Sequence, residues 1–231
     1  MRLDKFLSVC TEYSRKEIKK AIKAGMVLIN GRVANKSEEK IDEASDSIVF
    51  DGEEIIYKKY IYLMLNKPQG VVSATWDKNL PYVTELVPEE FAHFDVFPVG
   101  RLDIDTEGLL ILTNDGDLNH KLTSPKHEVY KKYYAELDRE AEDKDIDIFA
   151  SGIELSDFTT KPAKLEISED RRKVFISICE GKFHQVKRMC SYVGKNVVFL
   201  KRISMGDLIL DDTLAPGECR ELTQEELKKI M

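Results

Sequence analysis

The sequence predicts an α+β fold in which a small helical module precedes a larger domain built on a sheet. Three observations point to it. Apolar residues in the first 25 positions recur with the helical period. From residue 61 onward, short apolar or alternating runs bounded by Gly, Pro, Asn and Asp read as strands. Helical stretches at 117–122, 141–151 and 186–193 interrupt those strands. The length of 231 residues suits one ordinary domain plus a small one, and 42% hydrophobic content supplies a core.

Leu3, Phe6, Leu7 and Cys10 share one face of a first helix. Ser14 with Glu17 forms a capping box that opens a second helix, and Gly25 ends it. Ile18, Ala21 and Ile22 face inward there, while Lys16, Lys19, Lys20 and Lys23 line the outer side. Val27 to Ile29, Asn30-Gly31 and Val33 form a tight hairpin. Residues 51–60 read as a linker, with the boundary near 58. Ile61 to Leu65 is a strand that turns at Pro68 and Gly70 into Val71–Ser73. Trp76 to Tyr82 is irregular. Leu109 to Leu112 is a buried strand closed by Asn114-Asp115-Gly116. His127 to Leu137 alternates, with Val129, Lys131, Tyr133, Ala135 and Leu137 on one side. Ala141 to Ser151 reads as a solvated acidic helix. Lys161–Ile167 and Val174–Ile178 pair around Glu169-Asp170, and Val197–Ile203 with Leu208–Leu210 flank Gly206. Thr223 with Glu226 opens a last helix.

Net charge is −7 and the pI about 5.3, which by itself argues against a nucleic-acid partner. The distribution argues otherwise. Residues 1–36 carry nine bases (Arg2, Lys5, Arg15, Lys16, Lys19, Lys20, Lys23, Arg32 and Lys36) against three acids, whereas residues 37–58 carry two bases against eight acids. Charge so segregated gives an acidic protein a basic face. Like charges stacked at i, i+4 destabilise a helix, so the lysine row is consistent with an anion partner as well as with a solvated face. Four cysteines without a Cys-x-x-Cys pair, and four histidines without ligand spacing, give no metal motif and imply reduced thiols. No run reaches the ~20 apolar residues of a membrane span. The N-terminus lacks a signal-peptide core, so a cytoplasmic location is expected.

Two stretches concentrate chemistry. In 99–108, Arg101, Asp103, Asp105 and Thr106 crowd a short loop that leads into the buried strand, a rigid support suited to a reactive group. A capped turn with Arg101 paired to Asp103 is the structural alternative. In 180–189, Lys187 and Arg188 start a helix, where cations oppose the dipole by roughly 0.3–1 kcal/mol each. Tolerating that cost implies an anion nearby, either Asp103 or phosphate. Lys195, Lys201 and Arg202 extend this basic region.

Gly100-Arg101-Leu102-Asp103 with Thr106 and Gly108-Leu109 resembles the signature of the RNA pseudouridine synthases, in the RsuA-type branch. Asn66-Lys67-Pro68-Gln69-Gly70, Lys131-x-Tyr133 and His184-Gln185-Val186-Lys187-Arg188 follow in that family's order. The first fifty residues resemble an S4-like alpha-L RNA-binding module. The resemblance implies domains at 1–58 (RNA-binding) and 59–231 (catalytic), the latter with a mixed, mostly antiparallel sheet flanked by helices. It implies Asp103 as the catalytic carboxylate, paired with Lys187 (Arg101 second), and Tyr133 beside the reacting base, with Tyr134 the neighbouring alternative. RNA contacts are then expected from Arg101, Lys67, Arg2, Lys5, Arg15, Lys16, Lys19, Lys20, Lys23 and Arg188, with Leu200 packing under the base. The implied reaction is isomerisation of uridine to pseudouridine in ribosomal RNA without cofactor or metal. A paired cation favours an ionised acid, and flipping the nucleotide costs a few kcal/mol that stacking must offset.

Asp105 after Ile104, Leu122-Thr123-Ser124-Pro125 and Thr160-Lys161-Pro162-Ala163 resemble the small-subunit enzymes of that family, and the resemblance implies 16S rRNA at the uridine-516-type site, as RNA or as a small-subunit assembly intermediate. The acidic pI fits a ribonucleoprotein substrate, and a monomer is expected. A synthase acting on 23S rRNA, a non-catalytic ribosome-assembly factor, and an RNA methyltransferase carrying an alpha-L module are the alternatives. The last would need a cofactor loop that the sequence lacks.

Overall fold

A helix with one apolar face needs a second surface to cover it, and the first sixty residues supply that surface themselves. A computed structural model describes residues 1–231. It divides into two compact units. One holds Met1–Ile61 with Pro88–Asp95, and the other holds Tyr62–Val87 with Val96–Met231. A single cut near residue 58 leaves Pro88–Asp95 with the second domain; in the structure this segment belongs to the first unit.

In the first unit, α1 (Leu3–Cys10) buries Leu3, Phe6 and Leu7, and α2 (Arg15–Lys23) buries Ile18 and Ile22. The Ser14 N–H donates to Glu17 Oε2 at 2.9 Å and the Glu17 N–H to Ser14 Oγ at 3.4 Å, closing the capping box. β1 (Val27–Ile29) and β2 (Arg32–Val33) join through Asn30 and Gly31, with φ of 50° and 78°. Two positive φ values are what a tight hairpin with right-handed strand twist demands. β3 (Ile48–Phe50) and β4 (Glu53–Glu54) complete an antiparallel sheet in the order β2-β1-β3-β4. Val27, Ile29, Ile48 and Phe50 join the two helices in one core.

The second unit is a nine-stranded sheet. Its elements are β5 (Tyr62–Lys67), β6 (Phe97–Pro98), β7 (Glu107–Thr113), α3 (Gly116–Thr123), β8 (Lys131–Leu137), α4 (Asp143–Ser151), β9 (Lys164–Ile167), β10 (Lys173–Ile178), α5 (Gln185–Tyr192), β11 (Val197–Met205), β12 (Leu208–Ile209), β13 (Cys219–Glu221) and α6 (Gln224–Lys228). The main order is β13-β5-β7-β11-β8-β10-β9, with β12 on β11 and β6 on β7. The β7–β11 pair is parallel and the other pairings are antiparallel, so the sheet is mixed and mostly antiparallel as expected. Leu109 to Leu112 are fully buried, the pattern of a strand covered on both faces. β8 alternates buried and half-buried, which puts Lys131, Tyr133, Ala135 and Leu137 inward. No helix is long and apolar enough to cross a membrane.

Two expectations need correction. The acidic helix α4 is not merely a solvated face, because Asp145 and Phe149 are buried and Asp145 Oδ2 lies 2.8 Å from Lys195 Nζ. Lys195 and Arg202 do not extend a basic surface either. Both are buried, Lys195 against Asp145 and Arg202 with its Nε donating to the Leu109 carbonyl at 2.7 Å.

Gly108 is required where β7 meets β11. Its φ is 101°, and a Cβ there would stand 2.2 Å from the Arg202 carbonyl oxygen and 2.8 Å from the Arg202 nitrogen. Both contacts are backbone and cannot swing aside. Gly108→Ala is therefore expected to cost about 3 kcal/mol or more, from left-handed strain plus the clash. Urea unfolding of the purified variant measures it, and an unchanged midpoint would show that the strand pair has room.

Candidate active site

The loop between β6 and β7 carries Asp103, and a buried lysine holds that loop. Lys67 ends β5 with its side chain fully enclosed. Its Nζ donates toward the carbonyls of Pro68 (3.0 Å), Thr106 (3.0 Å), Asp103 (3.1 Å) and Ile104 (3.5 Å). The Gly70 N–H donates to the Ile104 carbonyl at 2.8 Å, and Gly70 takes φ 81° to reach it. Ser73 Oγ receives the Leu102 N–H at 3.0 Å and donates to the Leu102 carbonyl at 2.9 Å. The Asn-Lys-Pro-Gln-Gly turn is thus a clamp on the acid's backbone. Lys67 cannot reach a phosphate, which corrects its expected place among the RNA contacts. Burial pushes its pKa down to about 8, opposed by the charges of Asp105, Asp103 and Glu107.

The Asp103 carboxylate is one-quarter exposed and faces the start of α5. Lys187 Nζ lies 3.1 Å from its Oδ2 and 2.5 Å from Asp105 Oδ1. His184 Nε2 stands 3.8 Å from Asp103 Oδ1. His184 has φ 49° and stacks on Phe183 with ring centroids 3.8 Å apart. Gln185 stiffens this corner: its Nε2 donates to Glu180 Oε1 at 2.8 Å, and its Oε1 accepts the Lys182 N–H at 3.1 Å. Burial pushes the Asp105 carboxyl up, but the Lys187 hydrogen bond and charge outweigh it and hold it below its ordinary value.

Arg101, Asp103, Tyr133, His184, Lys187 and Leu200 line one cleft. Tyr133 and Leu200 are buried in its wall on the neighbouring strands β8 and β11. Tyr134 points to the opposite face, where its hydroxyl donates to Glu136 at 2.7 Å and its ring meets Phe175 and Phe199. Of the two tyrosines, Tyr133 is the one in the cleft. Arg101 is exposed in the lining and makes no ion pair with Asp103, so of the two cations named from sequence only Lys187 pairs with it.

The other expected RNA contacts lie elsewhere. Arg188 pairs with Asp157 and stands over the Phe158 ring at 5.1 Å, outside the cleft lining. Lys5, Arg15, Lys16, Lys19, Lys20 and Lys23 are exposed on the first unit, where Arg2 is tied to Asp4 at 2.8 Å. Sequence reasoning left His184 out of the site. The available signal was its place just ahead of the helix that carries Lys187, in the same motif.

An acid with a fixed backbone, ion-paired to a lysine and open to a wall made by an aromatic ring and a leucine, can act on a flat, uncharged group inserted beside it. The family pattern described as RNA pseudouridylate synthase matches residues 61–192, and the S4 domain pattern matches residues 1–48. An uncharacterized RNA pseudouridine synthase of Bacillus subtilis, YtzG, is 48% identical, with 98% of this chain and 97% of the relative aligned. Ribosomal small subunit pseudouridine synthase A of Yersinia pestis is 41% identical over 100% of this chain and 98% of the relative. The Escherichia coli K12 protein of the same name is 38% identical over the whole of both. A crystal structure of a pseudouridylate synthase superposes with a TM-score of 0.70 at 39% identity, covering 100% of each chain.

Removing the Lys67 ammonium strands the carbonyls it holds. Lys67→Met is expected to lower stability by about 2–3 kcal/mol in urea unfolding. Amide exchange should rise at Gly70 and Thr106, while Asp103→Asn leaves both amides protected. Equal protection in the lysine variant would show that the loop holds its shape without the clamp.

Proposed function

The chain belongs to the RNA pseudouridylate synthase family, and from that premise we propose that it isomerises uridine to pseudouridine in ribosomal RNA, at the 516-type uridine of 16S rRNA. The observation that carries this reading is the convergence of Asp103, Lys187, Tyr133 and Leu200 on one cleft from a loop, a helix and two strands. The reaction breaks the bond from N1 of uracil to C1′, turns the base and rejoins it through C5. It neither oxidises nor reduces the nucleotide, and every atom except the C5 proton is kept.

Asp103 is the catalytic carboxylate in this reading. It either attacks C1′ as N1 departs or takes the C2′ proton on the way to a glycal. Lys187 holds the acid in place, with Asp105 as the second acceptor that orients the ammonium. Tyr133 offers its ring to the flipped base and Leu200 packs beneath it. Arg101, unpaired at the lining, supports the opened RNA as the nucleotide leaves its stack. The exposed lysine row of α2 binds RNA phosphates without reading sequence.

Support for the small subunit comes from Asp105, the Leu122–Pro125 run and Thr160–Ala163, and from the full-length likeness to relatives named for that subunit. The acidic pI favours a small-subunit assembly intermediate over free RNA as substrate; a cytoplasmic location and a monomeric working form complete the reading.

Tritium release from C5-labelled uridine in 16S rRNA is expected with the wild-type protein. It should fall by roughly 10³-fold or more in Asp103→Asn. Release at the wild-type rate would remove Asp103 from its role, and pseudouridine mapped to 23S rRNA in place of 16S would reassign the substrate. Lys16→Glu combined with Lys20→Glu should weaken RNA binding for all sequences and shrink the slope of log affinity against log salt by about 1.4 or more. An unaltered slope would leave those lysines as a solvated face.

A further inference from the structure

Beside the cleft lies a second cavity of about 280 Å³, which shares Arg101, Tyr133 and Lys182 with it. Its lining is strongly one-signed. Arg101, Lys131, Lys182 and Arg202 contribute to it, and Glu180 is its sole carboxylate. Oε1 of Glu180 is already engaged by the Lys161 N–H and Gln185 Nε2, each at 2.8 Å.

Two of the cations are buried. Arg202 is 2% exposed; its Nε is satisfied by Leu109, but its Nη2 is buried with no partner. Lys131 is 7% exposed and its side chain forms no hydrogen bond or ion pair, although its ammonium is less enclosed than Arg202 Nη2. The charged neighbours that act on it are Arg202, of like sign, and the weakly acidic Cys179 thiol. Burial, followed by the Arg202 charge, pushes its pKa down to about 8. Two buried cations that form no ion pair, set against the single carboxylate of Glu180 in the same lining, weaken a fold, and an apolar side chain of similar volume would suit β8 better. A cost kept on the wall of a cavity beside the cleft points to a ligand that offsets it on arrival.

We infer that this cavity is a phosphate pocket, formed by Lys131 and Arg202 with Arg101 and Lys182 at its sides, that receives a backbone phosphate of the RNA next to the target nucleotide. The inference rests on the RNA-modifying function proposed above. The volume exceeds the ~30 Å³ share of a single water several-fold, so a phosphodiester group and bridging waters fit. Arg101 spans both cavities, so a nucleotide in the cleft and the neighbouring phosphate can be held together. The pocket would make the enzyme favour a target embedded in a chain over an isolated nucleoside.

The test uses the full chain, Lys131→Met, and synthetic RNA hairpins in which one phosphate flanking the target uridine is replaced by a neutral methylphosphonate. For the wild type, one such replacement should weaken binding roughly tenfold, the scale of a lost hydrogen bond to a charged group. With Lys131→Met the same replacement should cost less than about twofold, because pocket and phosphate form one coupled pair. Lys131→Arg should restore the wild-type sensitivity. Equal losses in wild type and Lys131→Met at every flanking phosphate would overturn the inference. So would a pocket that takes free anion only, seen as inorganic phosphate raising the melting temperature of wild type but not of Lys131→Met without any coupling to RNA.

The variant also reports on its own folding. Lys131→Met should melt higher than wild type at pH 7, and the gain should fade as pH rises from about 8, where the native lysine gives up its proton, toward its unfolded value. A lower melting temperature would mark Lys131 as a structural strut and count against the pocket. Tritium release by the wild type judges the proposed function separately. Release without coupling sinks only the pocket, whereas absent release sinks the function and leaves the binding comparison to decide the pocket.

Discussion

The position of Asp103 depends on an ammonium that is closed off from solvent. Lys67 is sealed inside the second unit and places its donors among four carbonyls of two loops. Three of those carbonyls belong to residues 103–106, so the acid's backbone is tied at its own residue and on its C-terminal side. A charge enclosed this way is tolerable only because every donor finds an oxygen. The arrangement explains why a lysine stands at the end of an apolar strand. It also explains why the loop that carries Asp103 can be short and still rigid, since ordering it has been accomplished during folding.

Once the backbone is fixed, the carboxylate can be addressed from far along the chain. Lys187 reaches it across 84 residues of sequence, from the first turn of α5. A cation there opposes the helix dipole, by roughly 0.3–1 kcal/mol if exposed. Two carboxylates within hydrogen-bonding distance outweigh that penalty, and the first turn is where a side chain can lean out past the helix end. Asp105 matters to this balance. It occupies the lysine from a more exposed side and leaves Asp103 with one oxygen turned toward His184 and the cleft. Arg188, next in sequence, faces away and is neutralised by Asp157, so adjacent cations on one helix serve separate purposes.

Much of this was legible in the sequence, for reasons that differ from element to element. The capping boxes at Ser14 and Thr223 and the Asn30-Gly31 turn are local chemistry, and they appear where the residues put them. The β7 run announces its burial by being apolar at consecutive positions. Tyr133 on the cleft side, with Tyr134 opposite, follows from alternation along β8. The errors fall on charged residues. Lys67, Asp145, Lys195 and Arg202 read as solvent-facing by type, and all four are buried. Charge in sequence specifies a need for a partner without specifying which partner, because the pairing of Asp145 with Lys195 or of Lys67 with backbone oxygens is settled only by tertiary packing.

The buried cations therefore sort by where their donors go. Lys195 is matched by Asp145, and Lys67 by backbone carbonyls; both are complete within the folded chain. Arg202 is half complete, with one donor on Leu109 and another unmatched. The Lys131 side chain makes no hydrogen bond or ion pair, yet it sits on the inward side of a strand whose other inward positions are Tyr133, Ala135 and Leu137. Satisfied charges of the first kind hold a fold together. Unsatisfied ones weaken it, so their presence demands a compensating state outside the isolated chain. The two incomplete groups share a cavity, and that cavity adjoins the cleft that Asp103 lines. A fold that completes its charges elsewhere and leaves these two open has reserved them for an anion that arrives with the substrate.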